Sequence, residues 1–215
     1  MTKPYQATLD SIAASVPLLS DYDHAMVSEI GCPYISNARA TMLRKALDAG
    51  ADIIVFIDHD VSWRPQDLLK LVETEGDFVA GTYRFKKPEV EYMGQLLSDD
   101  SGRPIVRADG CVKAFCAPAG FIKITREAVR KMMRSYPELI YGDETRPHFD
   151  FFQHGAHKGV WFGEDYAACR RWIDAGGDIW TPPDLSIDHY TTDSVFAGNL
   201  HEFLMRQPGG SKANA

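Results

Sequence analysis

The run Ile53-Ile54-Val55-Phe56-Ile57 constrains this chain more than any other segment. β-branched and aromatic residues in succession, without polar alternation, read as a central strand buried on both faces. Asp58-His59-Asp60 follows at once. Two carboxylates therefore leave the C-terminal end of a buried strand, where open α/β sheets put their ligand sites. If the chain stays extended, alternation puts Asp58 and Asp60 on one side. Paired carboxylates there make a hard-oxygen site for Mg2+ or Mn2+. The plain alternative is a solvated turn, since a D-x-D arises easily by chance among 30 acidic residues.

The rest of the chain alternates between the two periodicities, which points to an α/β layer architecture. Helices are expected over Tyr5 to about Val16, Ser36 to Ala49 with Gly50 as its stop, from Pro65 through Val72, Arg126 to Arg134, and Glu164 to Ala175 before Gly176-Gly177. Strands are expected at His24–Ile30, Asp77–Gly81, Lys113–Cys116, Phe121–Ile124, Ile179 and Leu185–Ile187. Val90–Leu97 and Ile105–Val106 flank Asp99-Asp100-Ser101-Gly102 as a hairpin would. Ser135–Val160 has no period and mixes Pro, Gly, His and aromatics, so it reads as a functional loop or lid. Its His148, His154 and His157, with Phe149, Phe151, Phe152 and the following Trp161, suit either an acceptor-binding lid or a loop packed on the core. Residues 1–206 are expected to form one domain, with 207–215 a flexible tail rich in Gly, Ser, Lys and Asn.

The 215 residues carry a net charge of −7, which argues against a nucleic-acid partner. That charge does not exclude an anionic substrate, because a divalent cation can supply the local positive field. Cys32, Cys111, Cys116 and Cys169 form no C-x-x-C pair and read as scattered, buried, reduced thiols. The first apolar stretch is broken by Asp10, Ser11 and Pro17, unlike a signal peptide. No segment approaches the roughly 18 uninterrupted apolar residues of a membrane span. A cytoplasmic location is the expectation.

Three further features bear on chemistry. Gly163-Glu164-Asp165 opens a helix, where acids suit the dipole but could also present a general base. Asp188-His189 ends the last short strand and offers a nitrogen ligand, a donor that favours Mn2+ over Mg2+. Ala117-Pro118-Ala119-Gly120 joins two strands, and its glycine permits close backbone approach to a ligand. Taken singly, a helix cap, a hydrogen-bonded loop histidine and an ordinary turn explain all three.

Their order changes the reading. From Pro33 to Tyr190 the chain resembles the GT-A glycosyltransferases, particularly the family 2-like bacterial and phage members. "PYISNARATMLRKALDAGAD" is similar to the helix leading into the D-x-D strand, and "ADIIVFIDHDVSWRPQDLLKLV" to that strand, its motif and the next helix. "APAGFIKITREAVRKM" resembles the glycine-bearing strand pair, and "FGEDYAACRRWIDAGGDIWTPPDLSIDHY" the x-E-D helix through the terminal metal histidine. The resemblance implies a GT-A fold, a Rossmann-like mixed central sheet flanked by helices. It implies transfer of a sugar from a nucleotide-diphosphate donor, a UDP-sugar by default, to a hydroxyl of a glycan, lipid-linked or other acceptor.

By the same resemblance Asp60 is the principal carboxylate on Mn2+ or Mg2+, Asp58 touches the metal or the ribose, and His189 completes the protein ligands. Asn37 and Arg39 contact the nucleotide, although a plain surface helix explains both equally. Gly120 lies beside the donor sugar or the acceptor, Asp165 is the catalytic base if the mechanism is inverting, a choice the motif leaves open, and Glu164 binds acceptor or sugar. One departure stands out: the opening strand of such domains is short or missing here, since the chain enters its first helix almost at once. Trp63 and Arg64 could border the donor, and Arg84, Lys86 and Lys87 form a basic cluster that reads as a phosphate site or a solvated loop. Three rival readings remain. In a haloacid-dehalogenase-like phosphohydrolase, Asp58 would be the nucleophile and Asp60 the acid/base, with Asp165 in the late acidic pair. The others are a non-catalytic nucleotide-sugar or glycan-binding module, and a nucleotidyltransferase, whose usual glycine-rich basic loop is not found near the N-terminus.

Overall fold

The computed structural model describes residues 4–206, so the expected tail at 207–215 lies outside the described residues. The chain runs α1 (Gln6–Ser15), a 3-10 turn (Val16–Leu19), α2 (Ile35–Asp48), β1 (Ile53–Ile57), β2 (Val61–Trp63), α3 (Pro65–Glu73), β3 (Phe78–Ala80), β4 (Gln95–Leu96), β5 (Val112–Cys116), β6 (Phe121–Thr125) and α4 (Arg126–Ser135). It continues through a second 3-10 turn (Pro137–Leu139), β7 (Ile140–Asp143), β8 (Arg146–Phe149), β9 (Gly155–His157), β10 (Val160–Phe162), α5 (Glu164–Asp174), β11 (Ile179–Thr181), β12 (Ile187–Tyr190), β13 (Val195–Phe196) and α6 (Leu200–Arg206).

Six strands form a mixed sheet in the order β1-β6-β3-β11-β5-β4. β6 runs antiparallel to both β1 and β3, and β3 is parallel to β11. β1 and β3 therefore point the same way, and the start of β6 meets the end of β1. A second, three-stranded sheet, β13-β12-β2, stands beside that end. The fold is mixed α/β, as expected. No helix among the described residues is long and apolar enough to cross a membrane.

Burial follows from composition on each face. On one, Leu43 of α2, Val129 and Met132 of α4, Phe149 of β8, Ala168 and Trp172 of α5 and the loop residues Phe151 and Phe152 close over Phe56, Phe78 and Ile122. On the other, Val61, Trp63, Leu68, Leu71 and Ile187 pack on Val79 and Phe121, with Ile12 of α1 against them. Local chemistry sets the helix ends. Pro65 opens α3, with the Asp67 carboxylate accepting from the Arg64 N–H at 3.2 Å. The Thr125 hydroxyl caps α4 by accepting from Ala128 N–H at 3.1 Å.

Several expectations are corrected. β1 is an edge strand of its sheet, not a central one. The segment expected to be a strand at His24–Ile30 is irregular, and its Met26 is 72 % exposed. Ser135–Val160 contains two hairpins, β7–β8 and part of β9–β10. Its three phenylalanines are core, whereas Trp161 is 69 % exposed, so the segment divides between the two readings. Around Asp99–Gly102 the chain does turn, with Ile105 N–H donating to Leu97 O at 3.0 Å, but the adjoining β4 pairs with β5. Trp63 is core and donates to the Ser15 hydroxyl at 3.0 Å.

Candidate functional site

The site begins where β1 stops. Asp58 still pairs with the neighbouring strand, its N–H donating to Gly120 O at 2.9 Å, and the chain then turns at His59-Asp60. Asp58 and Asp60 therefore do not simply alternate along extended backbone, and their carboxylates find different partners. The turn feeds β2, which sequence reading missed because it is three residues long. β2 pairs antiparallel with β12, His189 lying opposite Val61, and Tyr190 N–H donates to Asp60 O at 2.9 Å. His189 thus sits inside a strand, not at the end of one, and this pairing delivers it to Asp60.

The Asp58 carboxylate accepts from Arg39 at 2.8 Å. The same guanidinium reaches Glu164 at 3.1 Å and lies 5.0 Å from the Phe152 ring centroid. Arg39 is 3 % exposed, so the surface-helix alternative is wrong for it. Burial is the largest influence on its charge and favours deprotonation, but the Asp58 and Glu164 carboxylates outweigh it and the pKa is raised. Asn37, by contrast, is exposed, accepts from the Tyr141 hydroxyl at 2.9 Å and is not among Arg39's partners.

Asp60 is ion-paired with Lys86, and its Oδ2 stands 3.8 Å from His189 Nε2. The other ring nitrogen, Nδ1, lies 2.8 Å from Arg84 O. A carbonyl oxygen only accepts, so Nδ1 carries a proton, and when the ring is neutral Nε2 turns its lone pair toward Asp60. Burial, more than any other influence, pushes the His189 pKa down, and the nearby Lys86 charge acts in the same direction. The ring packs edge-on against Tyr83, 4.8 Å between centroids.

Gly120 is required by space. A Cβ there would fall 2.6 Å from Asp58 Oδ2 and closer still to the Tyr83 hydroxyl. Tyr83 is buried, and burial followed by the Asp58 charge raises its pKa well above the usual phenol range. Sequence reading passed over Tyr83. It follows the C-terminal end of β3, the same sheet edge as Asp58, so the strand-end rule could have found it.

Glu164 and Asp165 occupy the first turn of α5. Burial first, then the adjacent Glu164 charge, lift the Asp165 pKa to about 6. Its neighbour Tyr166 accepts from Gly94 N–H at 3.0 Å, tying α5 to the segment before β4. A cavity of ≈ 280 Å³ lies beyond that contact, walled by Tyr92, Met93, Leu96, Cys116, Ala117 and Phe203. Its walls are mostly apolar and are not the carboxylate cluster, so charge and hydrogen bonding, not concavity, single out the cluster.

Asp60 and His189 form a two-donor corner of oxygen and nitrogen, a set suited to Mn2+. Two lone-pair-bearing atoms facing each other favour a cation between or beside them, and Lys86 supplies one. The third expected metal ligand, Asp58, turns instead to Arg39. Among the described residues no group of three His, Cys, Asp or Glu side chains is gathered as a metal cage.

Fold and site together define a mixed α/β protein with an acidic, cation-buffered centre at the carboxyl end of its edge strand. Comparison with protein-family models finds no match, and comparison with curated protein sequences finds no significant one. Among solved structures the chain is similar to the crystal structure of A197 from STIV, at 15 % identity and a TM-score of 0.46, covering 86 % of this chain and 87 % of that one.

Proposed function

We propose that this chain is a glycosyltransferase of GT-A type, transferring a sugar from a nucleotide-diphosphate donor to an acceptor hydroxyl. The observation that carries the reading is convergence. Arg39, Asp58, Asp60, Gly120, Glu164 and His189 come from five separate segments, and direct contacts or close approaches link each to another of the set or to Tyr83. Their order along the chain is the order the motif resemblance requires.

In this reading Asp60 and His189 hold the divalent cation, Mn2+ by donor type, with Mg2+ the other candidate. When bound, that cation neutralises charge on the diphosphate leaving group. The protein's own groups do the rest. Asp165 accepts the proton of the attacking acceptor hydroxyl, and a pKa of about 6 leaves it ionised yet basic enough at neutral pH. Arg39 locks Asp58 and Glu164 in place, so that neither must reorganise when donor arrives. Gly120 keeps the floor of the site open beneath Asp58. The phosphohydrolase reading needs Asp58 as a free nucleophile, and the Arg39 contact disfavours it.

Calorimetry of UDP and GDP with and without Mn2+ tests the reading. Binding that needs Mn2+ and disappears in Asp60→Ala is the expected result. A folded protein that binds neither nucleotide in Mn2+, or an Asp60→Ala variant that binds as the parent does, would overturn it.

A further inference from the structure

We propose that Lys86 is the diphosphate ligand of this site: it neutralises Asp60 in the free protein and passes to the donor diphosphate when a divalent cation takes that carboxylate. The inference rests on the donor-site reading above.

Of the three basic residues in the loop after β3, Lys86 alone is turned to the site carboxylates. The Arg84 guanidinium donates to Pro88 O at 3.0 Å and Glu89 O at 3.3 Å, and lies 5.8 Å from the Phe196 ring centroid. Lys87 is paired with Glu91 within the loop. Backbone pairing holds the loop's base, with Phe85 N–H donating to Glu91 O at 3.0 Å and Met93 N–H to Tyr83 O at 2.8 Å. Lys86 is left on Asp60. Arg84 O also anchors His189 Nδ1, so the loop that aims Lys86 and the Asp60–His189 corner are one mechanical unit.

Charge completes the argument. Four carboxyl groups (Asp58, Asp60, Glu164 and Asp165) face two fixed cations, Arg39 and Lys86. Arg39 is buried, with one terminal nitrogen engaged by Asp58 and the other by Glu164, so it is poorly placed to reach a phosphate. Lys86 is exposed, on a flexible stem, with a point charge able to follow a phosphate oxygen. A divalent cation on Asp60 and the Lys86 ammonium compete for the same oxygen. Binding of the cation therefore releases Lys86 where the diphosphate must arrive.

The exchange predicts opposite signs. Lys86→Ala should bind Mn2+ alone about fivefold more tightly, because a competing partially exposed ion pair is gone. At saturating Mn2+ it should bind methylenediphosphonate about tenfold more weakly, through loss of a charge-assisted contact. Lys86→Arg should restore diphosphonate binding, and methylphosphonate binding should change little in either variant. Calorimetry measures each affinity, with Lys86→Gln beside Lys86→Ala as an independent check on folding. If the parent protein binds both probes, a Lys86→Ala variant that leaves either affinity unchanged, or moves both the same way, overturns the proposal and spares the donor-site reading. Diphosphonate binding as tight in EDTA as in Mn2+ also overturns the exchange. A parent protein that binds neither probe overturns the donor-site reading and this proposal with it.

Discussion

Replacing Arg39 by Met tests how the site is held together. Met keeps a long, flexible stem that can still cover Phe152, but it leaves Asp58 and Glu164 with no shared cation. Two charge-assisted contacts, at 2.8 and 3.1 Å, are lost. Each is worth about 1.5–3 kcal/mol, and stranding the partners of a buried cation costs about 3–5 kcal/mol. Asp58 and Glu164 retain 31 % and 25 % side-chain exposure, so water takes over part of the debt. We therefore expect a net loss of about 2–3 kcal/mol, read as a urea midpoint lowered by about 1–1.5 M at a slope near 2 kcal/mol/M. The cause is separable by a double-mutant cycle. Adding Asp58→Asn to Arg39→Met should cost at least ~1 kcal/mol less than Asp58→Asn costs in the parent. A single variant within ~0.5 kcal/mol of the parent, or strictly additive effects, would refute the claim that Arg39 organises these acids.

Two further outcomes follow from the geometry. Gly120→Ala should lower stability by about 1–3 kcal/mol through overpacking against Asp58 and Tyr83, and should abolish metal-dependent nucleotide binding in the fraction that stays folded. Asp165 has a folded pKa of about 6 against an ordinary 3.8. A raised carboxyl destabilises the fold when ionised, so its penalty is complete above about pH 6 and fades as pH falls toward the unfolded value near 4. Asp165→Asn should therefore be more stable than the parent by about 1–2 kcal/mol at pH 7.5. The advantage should shrink as pH falls to 4 in urea titrations; on the proposed function, sugar transfer by the parent should slow below pH 6.

What was legible in the sequence was whatever local pattern determines. The apolar run of β1 and its two carboxylates, the proline that opens α3, the acids that open α5, and the Gly176-Gly177 stop all announce themselves within a few residues. Arg39 did not. An arginine on an amphipathic helix reads as solvent-facing until the acids that meet it, 19 and 125 residues away, are known. β2 was hidden because three residues between a turn and a proline carry no period, yet its pairing is what brings His189 to Asp60. The basic cluster at Arg84, Lys86 and Lys87 looked uniform in sequence and proved to hold three different partners, because the loop's fold sorts the side chains. The phenylalanines of the 135–160 segment were ambiguous for the opposite reason: aromatic residues suit a lid and a core equally, and only packing decides.

The pairing of β2 with β12 also fixes when the site can exist. Ser62 meets Tyr190 through a side-chain contact at 3.0 Å spanning 128 positions. Contacts that distant form late, because a long loop must close before they stabilise anything. During synthesis Asp60 emerges well before His189, and its ion-pair partner Lys86 emerges between them. Assembly of the centre is thus coupled to synthesis of the segment that carries β12. On the proposed function, a chain cut before residue 187 should keep helices and bind no donor.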